Sequence, residues 1–277
     1  SQLIDKKYEP LFTRAILASL RDPRTMLSDL DCSKSFGNSA LSQPSNSHCL
    51  RFNQKLGHLY ESALNFLLEQ SDQYNILASN YQLITPEKQT IGELDFLLQC
   101  PSDLSLIHLE LAVKFYLIYN RNEQTYYPGP DARDNYQRKL SRLRDHQLTL
   151  TQRTDTKKLL PPALPEQVIQ VQHLVHGIFF DHINGSLSSL PQAANPSVRR
   201  RKWLYCCEYT QHFSKVDKVK VIPKQLWLCT LDEELFEALI EVTVAELIGL
   251  SQQRCTMFTR SSKTTPYFLV PDTWPSI

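Results

Sequence analysis

Two carboxylates and a lysine stand out because of the parity they share. In the run LSLIHLELAVKFYLIY, Ile107, Leu109, Leu111, Val113, Phe115 and Leu117 alternate onto one wholly apolar face. His108, Glu110, Ala112, Lys114 and Tyr116 take the other, which sets an acid and a base in line on one face. The preceding run IGELDFLLQ repeats the pattern, with Leu94, Phe96 and Leu98 on one face and Glu93 and Asp95 on the other. The link CPSDLS suits a hairpin loop. A hairpin symmetric about residues 102–103 places Asp95 directly opposite Glu110, with Cβ atoms about 5 Å apart. Like charges so placed repel unless something neutralises them. A divalent cation does so, and Mg²⁺ takes one or two carboxylates while keeping several waters. The inference depends on register, since a slip of one residue moves the set to the other face. The plain alternative is a solvated strand face, and against it stands the mid-strand position of these charges in a long apolar run.

The surrounding pattern supplies the elements that would hold this pair. KLGHLYESALNFLLEQ, residues 55–70, reads as a helix whose apolar stripe is Leu56, Leu59, Tyr60, Ala63 and Leu67, with Glu61 at its border. A further strand is expected near 76–84. Residues 131–150 read as a basic amphipathic helix opened by the Gly129-Pro130 break. Upstream, 8–20 reads as a helix, and the Ser- and Asn-rich stretch 27–48 as a long exposed or partly disordered loop. Downstream, VQHLVHGIFF, KWLYCCEYTQHF, KVKVI and QLWLCT read as strands. Thr230 and Glu233 form a capping-box pattern for an acidic helix running to Leu250, and the tail PYFLVPDTWPSI reads as a docked extended segment. This order implies a single α/β domain over 1–277. Its core would lie at about 52–225, between an N-terminal helix and polar loop (1–51) and a C-terminal helix and tail (226–277).

Composition narrows the function. A net charge of +1 provides no global field, so contact with a polyanion needs a local patch. One candidate is Arg199, Arg200, Arg201 and Lys202, just before Trp203 and Tyr205: basic residues beside aromatics suit backbone or single-strand binding. The alternative is a charged loop entering a strand. Seven cysteines without CxxC spacing disfavour structural zinc and a disulfide framework, and imply reduced thiols in a cytoplasmic protein. No apolar run suits a signal peptide or a membrane span. None of the seven glycines forms a GxGxxG or GxxxxGK loop, which disfavours a nucleotide cofactor. His173 and His176, three apart in a strand, face opposite sides and do not suit a shared metal. His108 shares the acidic face and reads as a structural hydrogen-bonding group.

GELDFLL followed by ELAVK resembles the core of the PD-(D/E)xK nucleases, with Asp on one strand and an acid and lysine on the next. KLGHLYESALNFLL resembles the first core helix of that superfamily, which often carries a glutamate. More narrowly, LGHLYESAL, GELDFLL, HLELAVKFYL, GPDARDNYQRKLSRLRDHQLTL, HLVHGIFF and ANPSVRRRKWL resemble an uncharacterised bacterial family, domain of unknown function eighteen fifty-three. The resemblance implies a restriction-endonuclease-like α/β fold, a central mixed sheet flanked by helices. It implies a Mg²⁺-dependent, or Mn²⁺-dependent, nuclease hydrolysing phosphodiester bonds in DNA or RNA. Asp95 and Glu110 would hold the metal, Lys114 would be the catalytic lysine, and Glu61 would complete the acidic cluster. Lys139 and Gln147 would contact phosphate. One departure matters. The usual lysine position, two residues after the acid, holds Ala112, and Lys114 lies one pleat further on, about 7 Å by strand rise. A catalytically inactive member of the fold, binding nucleic acid or a protein, is the competing expectation.

Overall fold

The computed structural model describes residues 4–44, 48–164 and 166–275. Among these a ten-stranded mixed sheet dominates. Its strands are β1 (Lys34–Ser35), β2 (Asn75–Ile84), β3 (Thr90–Gln99), β4 (Leu106–Leu117), β7 (Ile169–His182), β8 (Arg199–Tyr205), β9 (Lys218–Ile222), β10 (Ile240–Thr243), β11 (Thr256–Thr259) and β12 (Tyr267–Val270). The order is β10-β9-β11-β12-β8-β7-β4-β3-β2, and β1 adds to β7. The short strands β5 (Tyr119–Arg121) and β6 (Gln124–Tyr126) form a separate hairpin. β2, β3 and β4 pair antiparallel, whereas β4, β7, β8 and β12 run parallel. A strand with parallel neighbours on both sides must be apolar on both faces. β7 meets that demand, being buried continuously from His173 to Asp181. Gly177 makes the β4–β7 contact possible: a Cβ there would lie 2.0 Å from the Lys114 carbonyl oxygen.

Both faces of the sheet are covered. The odd-numbered residues of β4 pack against α1 (Glu9–Leu20) and α2 (Leu56–Glu69), joining Phe12, Ile16, Leu59, Ala63 and Leu67 in the largest core cluster. Ala112 and Tyr116 on the other face meet α3 (Tyr136–Asp145) through Tyr136, Leu140 and Leu143. The alternation read in β4 therefore separates two helix layers. No described helix is long and apolar enough to cross a membrane.

Several expected elements are corrected. The stretch 27–48 is not a loose exposed loop: Leu27, Leu30, Phe36 and Leu41 are buried. Its polar groups serve the interior, as where Asn38 donates to the Leu20 and Asp22 carbonyls. Residues 45–47 of that stretch lie outside the described residues. The strand expected through Cys206-Cys207 ends at Tyr205 and becomes a 3₁₀ turn, Cys206–Glu208, then α4 (Tyr209–His212). The Glu208 carboxylate enforces the turn by accepting from the Tyr205 amide at 2.9 Å. QLWLCT is a turn, with a 3₁₀ segment at Lys224–Leu226 after Pro223. The single acidic helix expected from 230 to 250 divides into α5 (Glu233–Ala238), β10 and α6 (Val244–Ser251). Asp232 and not Thr230 caps the first helix, and Thr243 with Glu246 forms the capping box of the second. Finally, α3 starts at Tyr136 and not near 131, because Asn135 caps it by accepting from the Arg138 amide at 2.9 Å.

Candidate functional site

The β3–β4 register is the one expected from a symmetric hairpin: Gln99↔Leu106, Leu98↔Ile107, Leu97↔His108 and Phe96↔Leu109. The ladder stops one step short of Asp95 and Glu110. There the side chains replace the backbone bonds. The Asp95 amide donates to Glu110 Oε2 at 2.8 Å, and the Leu111 amide donates to Asp95 Oδ2 at 2.9 Å. β2 contributes to this opening, since Asn80 adopts a left-handed conformation (φ 49°) and the Asn80/Asp95 pair is absent from the β2–β3 register. Beyond Leu109 the edge of β4 that faced β3 leaves the ladder: Asp95 takes the Leu111 amide, and the Leu117 amide donates to the Pro128 carbonyl at 2.8 Å.

Glu110 is held from three sides. Gln147 donates to Oε1 at 3.1 Å, and His108 Nε2 lies 3.2 Å from Oε2. His108 Nδ1 in turn contacts Thr151 Oγ1 at 3.0 Å. Burial lowers the His108 pKa to about 4, so the ring is neutral and can donate through Nε2 when Thr151 donates to Nδ1. Glu110 is 2% exposed and Asp95 half-buried. Burial holds both carboxyls well above the usual carboxylate range, Asp95 further by the charge of Glu110 beside it. Glu61 and Glu93 add to the negative field at Glu110, and Lys139 opposes it. Glu61 itself is raised by burial, partly offset by His58 at 3.3 Å. It therefore faces the acidic pair at electrostatic range while hydrogen-bonded to its own helix.

The two lysines are placed otherwise than expected. Lys114 does not lean back to the acids. Its ammonium pairs with Asp134 Oδ2 at 2.9 Å, an acceptor that Tyr116 also approaches at 3.4 Å. Lys139, on the first turn of α3, lies at electrostatic range of both acids. Its charge lowers the pKa of both Asp95 and Glu110, and its own pKa is pushed down by burial and by Lys114. Its ammonium makes no hydrogen bond or ion pair with a described residue. Gln147, expected on phosphate, instead orients Glu110.

The arginine run is a correction too. Arg199 donates to the Leu228 carbonyl at 2.6 Å, Arg200 forks onto buried Asp181 at 2.9 and 3.1 Å, and Arg201 reaches the Trp227 and Cys229 carbonyls. These guanidinium groups tie β8 to its neighbours and leave Lys202 alone exposed. His173 and His176 serve different partners, His173 bonding Ser33 and Ser28 and His176 the Leu20 carbonyl.

A cleft of about 1050 Å³ lies beside β4 at Leu111–Phe115. Leu111, Lys114, Lys139, Lys224, Arg254 and Trp274 are among its lining residues. Among the described residues, no three His, Cys, Asp or Glu side chains gather closely enough to hold a metal on their own. A cation at Asp95 and Glu110 would thus rest on two carboxylates and keep several waters, which fits the habit of Mg²⁺. The family model for Domain of unknown function (DUF1853) matches residues 1–256. The chain belongs to that family. No curated protein and no solved structure matches it.

Proposed function

We propose that this family member is a divalent-metal-dependent nuclease of the PD-(D/E)xK type, hydrolysing phosphodiester bonds in DNA or RNA. The observation that carries the reading is a carboxylate pair, buried Glu110 and half-buried Asp95, bridging the point where β3 and β4 part, with the charge of Lys139 acting on both. In this reading β2, β3, β4 and β7, with α2 and α3 on opposite faces, form the restriction-endonuclease-like core. Asp95 and Glu110 would hold Mg²⁺ or Mn²⁺, which when bound polarises a phosphate and acidifies a water. Lys139 stabilises the charge that develops on the phosphate, a role open to it because its ammonium forms no ion pair with a described carboxylate. His108 and Gln147 fix the Glu110 carboxylate, and Glu61 strengthens the negative field from α2. Lys114, tethered to Asp134, lines the path of the substrate.

The competing reading is a non-catalytic binding module of the same fold. It is favoured by the engagement of both Glu110 oxygens and by the turning away of Lys114. The test is incubation of purified protein with mixed DNA and RNA in Mg²⁺ and in EDTA, beside Asp95→Ala. The nuclease reading expects degradation only by the native protein with metal. Binding without any cleavage transfers the assignment to the module.

A further inference from the structure

Resting on the nuclease reading, we infer that Thr151 is a positioning residue: through His108 it orients the ionised Glu110 carboxylate so that one acceptor position of Oε1 stays free for a cation. The three side chains form a buried chain. Thr151 Oγ1 lies 3.0 Å from His108 Nδ1, and His108 Nε2 lies 3.2 Å from Glu110 Oε2. Thr151 is 3% exposed, His108 0% and Glu110 2%, so bulk water does not replace a partner lost along it. One short segment anchors the grip on this carboxylate. Gln147 reaches Glu110, and Thr151 reaches His108. Between them Leu148 is buried in the cluster of Leu140 and Leu143, and Leu150 in that of Leu83, Leu94 and Leu97. Two leucines set in separate core clusters thus hold Gln147 and Thr151 in place around one acid.

The direction of each hydrogen bond follows from the chemistry of its members. A carboxylate that holds a cation is ionised and can only accept, so the hydrogen between it and the ring sits on Nε2. Burial keeps the ring neutral, with a single N–H, and Nδ1 is left as an acceptor. Only a donating group satisfies it, and Thr151 Oγ1 bonds no other described residue. The Thr151 hydroxyl thereby selects the ring tautomer, and the tautomer decides whether Oε2 meets a hydrogen or a lone pair. An ionised carboxylate offers about four acceptor positions. Oε2 fills two, with the Asp95 amide at 2.8 Å and with His108, and Oε1 fills one with Gln147 at 3.1 Å. What remains is a single position on Oε1. Asp95 matches it, since Oδ2 takes the Leu111 amide and Oδ1 accepts from no described residue. Without the hydroxyl, the other tautomer turns a lone pair toward Oε2, and the remaining position is no longer fixed.

The experiment reads the tautomer directly. Imidazole nitrogen shifts are recorded by long-range nitrogen–proton NMR for native protein, Thr151→Val and Thr151→Ser. The buffer contains EDTA at alkaline pH, where Glu110 is ionised without a cation, and His108→Ala assigns the resonance among the eight histidines. Mn²⁺ affinity is measured by calorimetry in parallel. Native protein is expected to carry its His108 proton on Nε2. Thr151→Val, which removes the hydroxyl and keeps the branched shape, is expected to admit the Nδ1–H form and to bind Mn²⁺ about tenfold more weakly. Thr151→Ser is expected to restore both. A side chain that only packs would leave the ring unchanged. A native ring protonated on Nδ1 or on both nitrogens overturns the inference, and this arm stands even if Thr151→Val fails to fold. So does a ring that stays wholly Nε2–H in Thr151→Val, an unchanged Mn²⁺ affinity in that variant, or a Thr151→Ser protein that behaves like it. The two readings separate cleanly. The tautomer and affinity responses with no cleavage in Mg²⁺ sustain this inference and refute the nuclease, while metal-dependent cleavage with an unresponsive ring does the reverse.

Discussion

Replacing Asp95 with asparagine should stabilise the metal-free protein, and the size of the effect follows from the site. Opposed positions across an antiparallel pair hold Cβ atoms about 5 Å apart, and two unit charges at that distance repel by about 3 kcal/mol at an effective dielectric of about 20. Proton uptake by one acid relieves part of this, leaving about 2 kcal/mol to be gained by removing one charge. The substituted side chain would still offer the Leu111 amide a carbonyl oxygen, so the bond that Asp95 now accepts is kept. For a chain of this size the gain corresponds to about 4–8 °C in Tm. The pH dependence has a defined sign. Both carboxyls are raised in the folded state, so the native protein binds protons more tightly than the unfolded chain, and its stability falls as pH rises from the ordinary carboxylate range through the raised values. The advantage of Asp95→Asn is therefore small in the ordinary carboxylate range and grows as pH rises through the raised values. Metal should invert the ranking: at a hundredfold excess over Kd the native protein gains about 2.7 kcal/mol, and the variant gains nothing. Thermal denaturation in EDTA and in Mg²⁺ across this pH range checks all three points. A variant less stable than native in EDTA at pH 8, or an advantage independent of pH, refutes the electrostatic reasoning.

Two further outcomes are expected. His108→Ala and Gln147→Ala, which release Glu110, should each weaken Mn²⁺ affinity by about 10- to 100-fold by calorimetry without loss of the fold, as is usual for groups that orient metal-binding carboxylates. Arg200→Ala should leave buried Asp181 without its ion-pair partner and lower unfolding stability by about 3 kcal/mol in urea, while nucleic-acid affinity at matched folded fraction stays unchanged.

What was legible in the sequence was the part governed by period two. The alternation in 106–117 defined both faces of β4, and the symmetric loop set the β3–β4 register up to Asp95 and Glu110; in β3 the alternation breaks at Asp95, since Leu94 packs with Leu97 against Leu150 and not with Phe96 and Leu98. Parity names a face but not the partner a long side chain reaches. Lys114 lies on the correct face, yet Asp134 in the following loop captures it. The position of Lys139 depended on where α3 begins, and Asn135, a good cap five residues after Pro130, was the signal that could have located it. The arginine run looked solvated because charge usually is, but β8 lies inside the sheet and its arginines satisfy carbonyls of the 227–229 turn. Short apolar runs such as QLWLCT do not distinguish a strand from a 3₁₀ turn. The break between α5 and α6 was marked by the β-branched pair Val242 and Thr243, inside what reads as one acidic helix.

The most direct measurement is single-turnover cleavage of an end-labelled single-stranded oligonucleotide in Mg²⁺ or Mn²⁺ by native protein, Lys139→Ala and Lys114→Ala, with metal affinity measured for each. Stabilising charge in the transition state contributes about 10²-fold or more to such reactions. The expected result is metal-dependent product from the native protein, a loss of about 100-fold in Lys139→Ala with cation binding retained, and a rate within a few-fold of native in Lys114→Ala. Native protein that forms no product with either metal, or Lys139→Ala that cuts as fast as native, contradicts the assignment of this site.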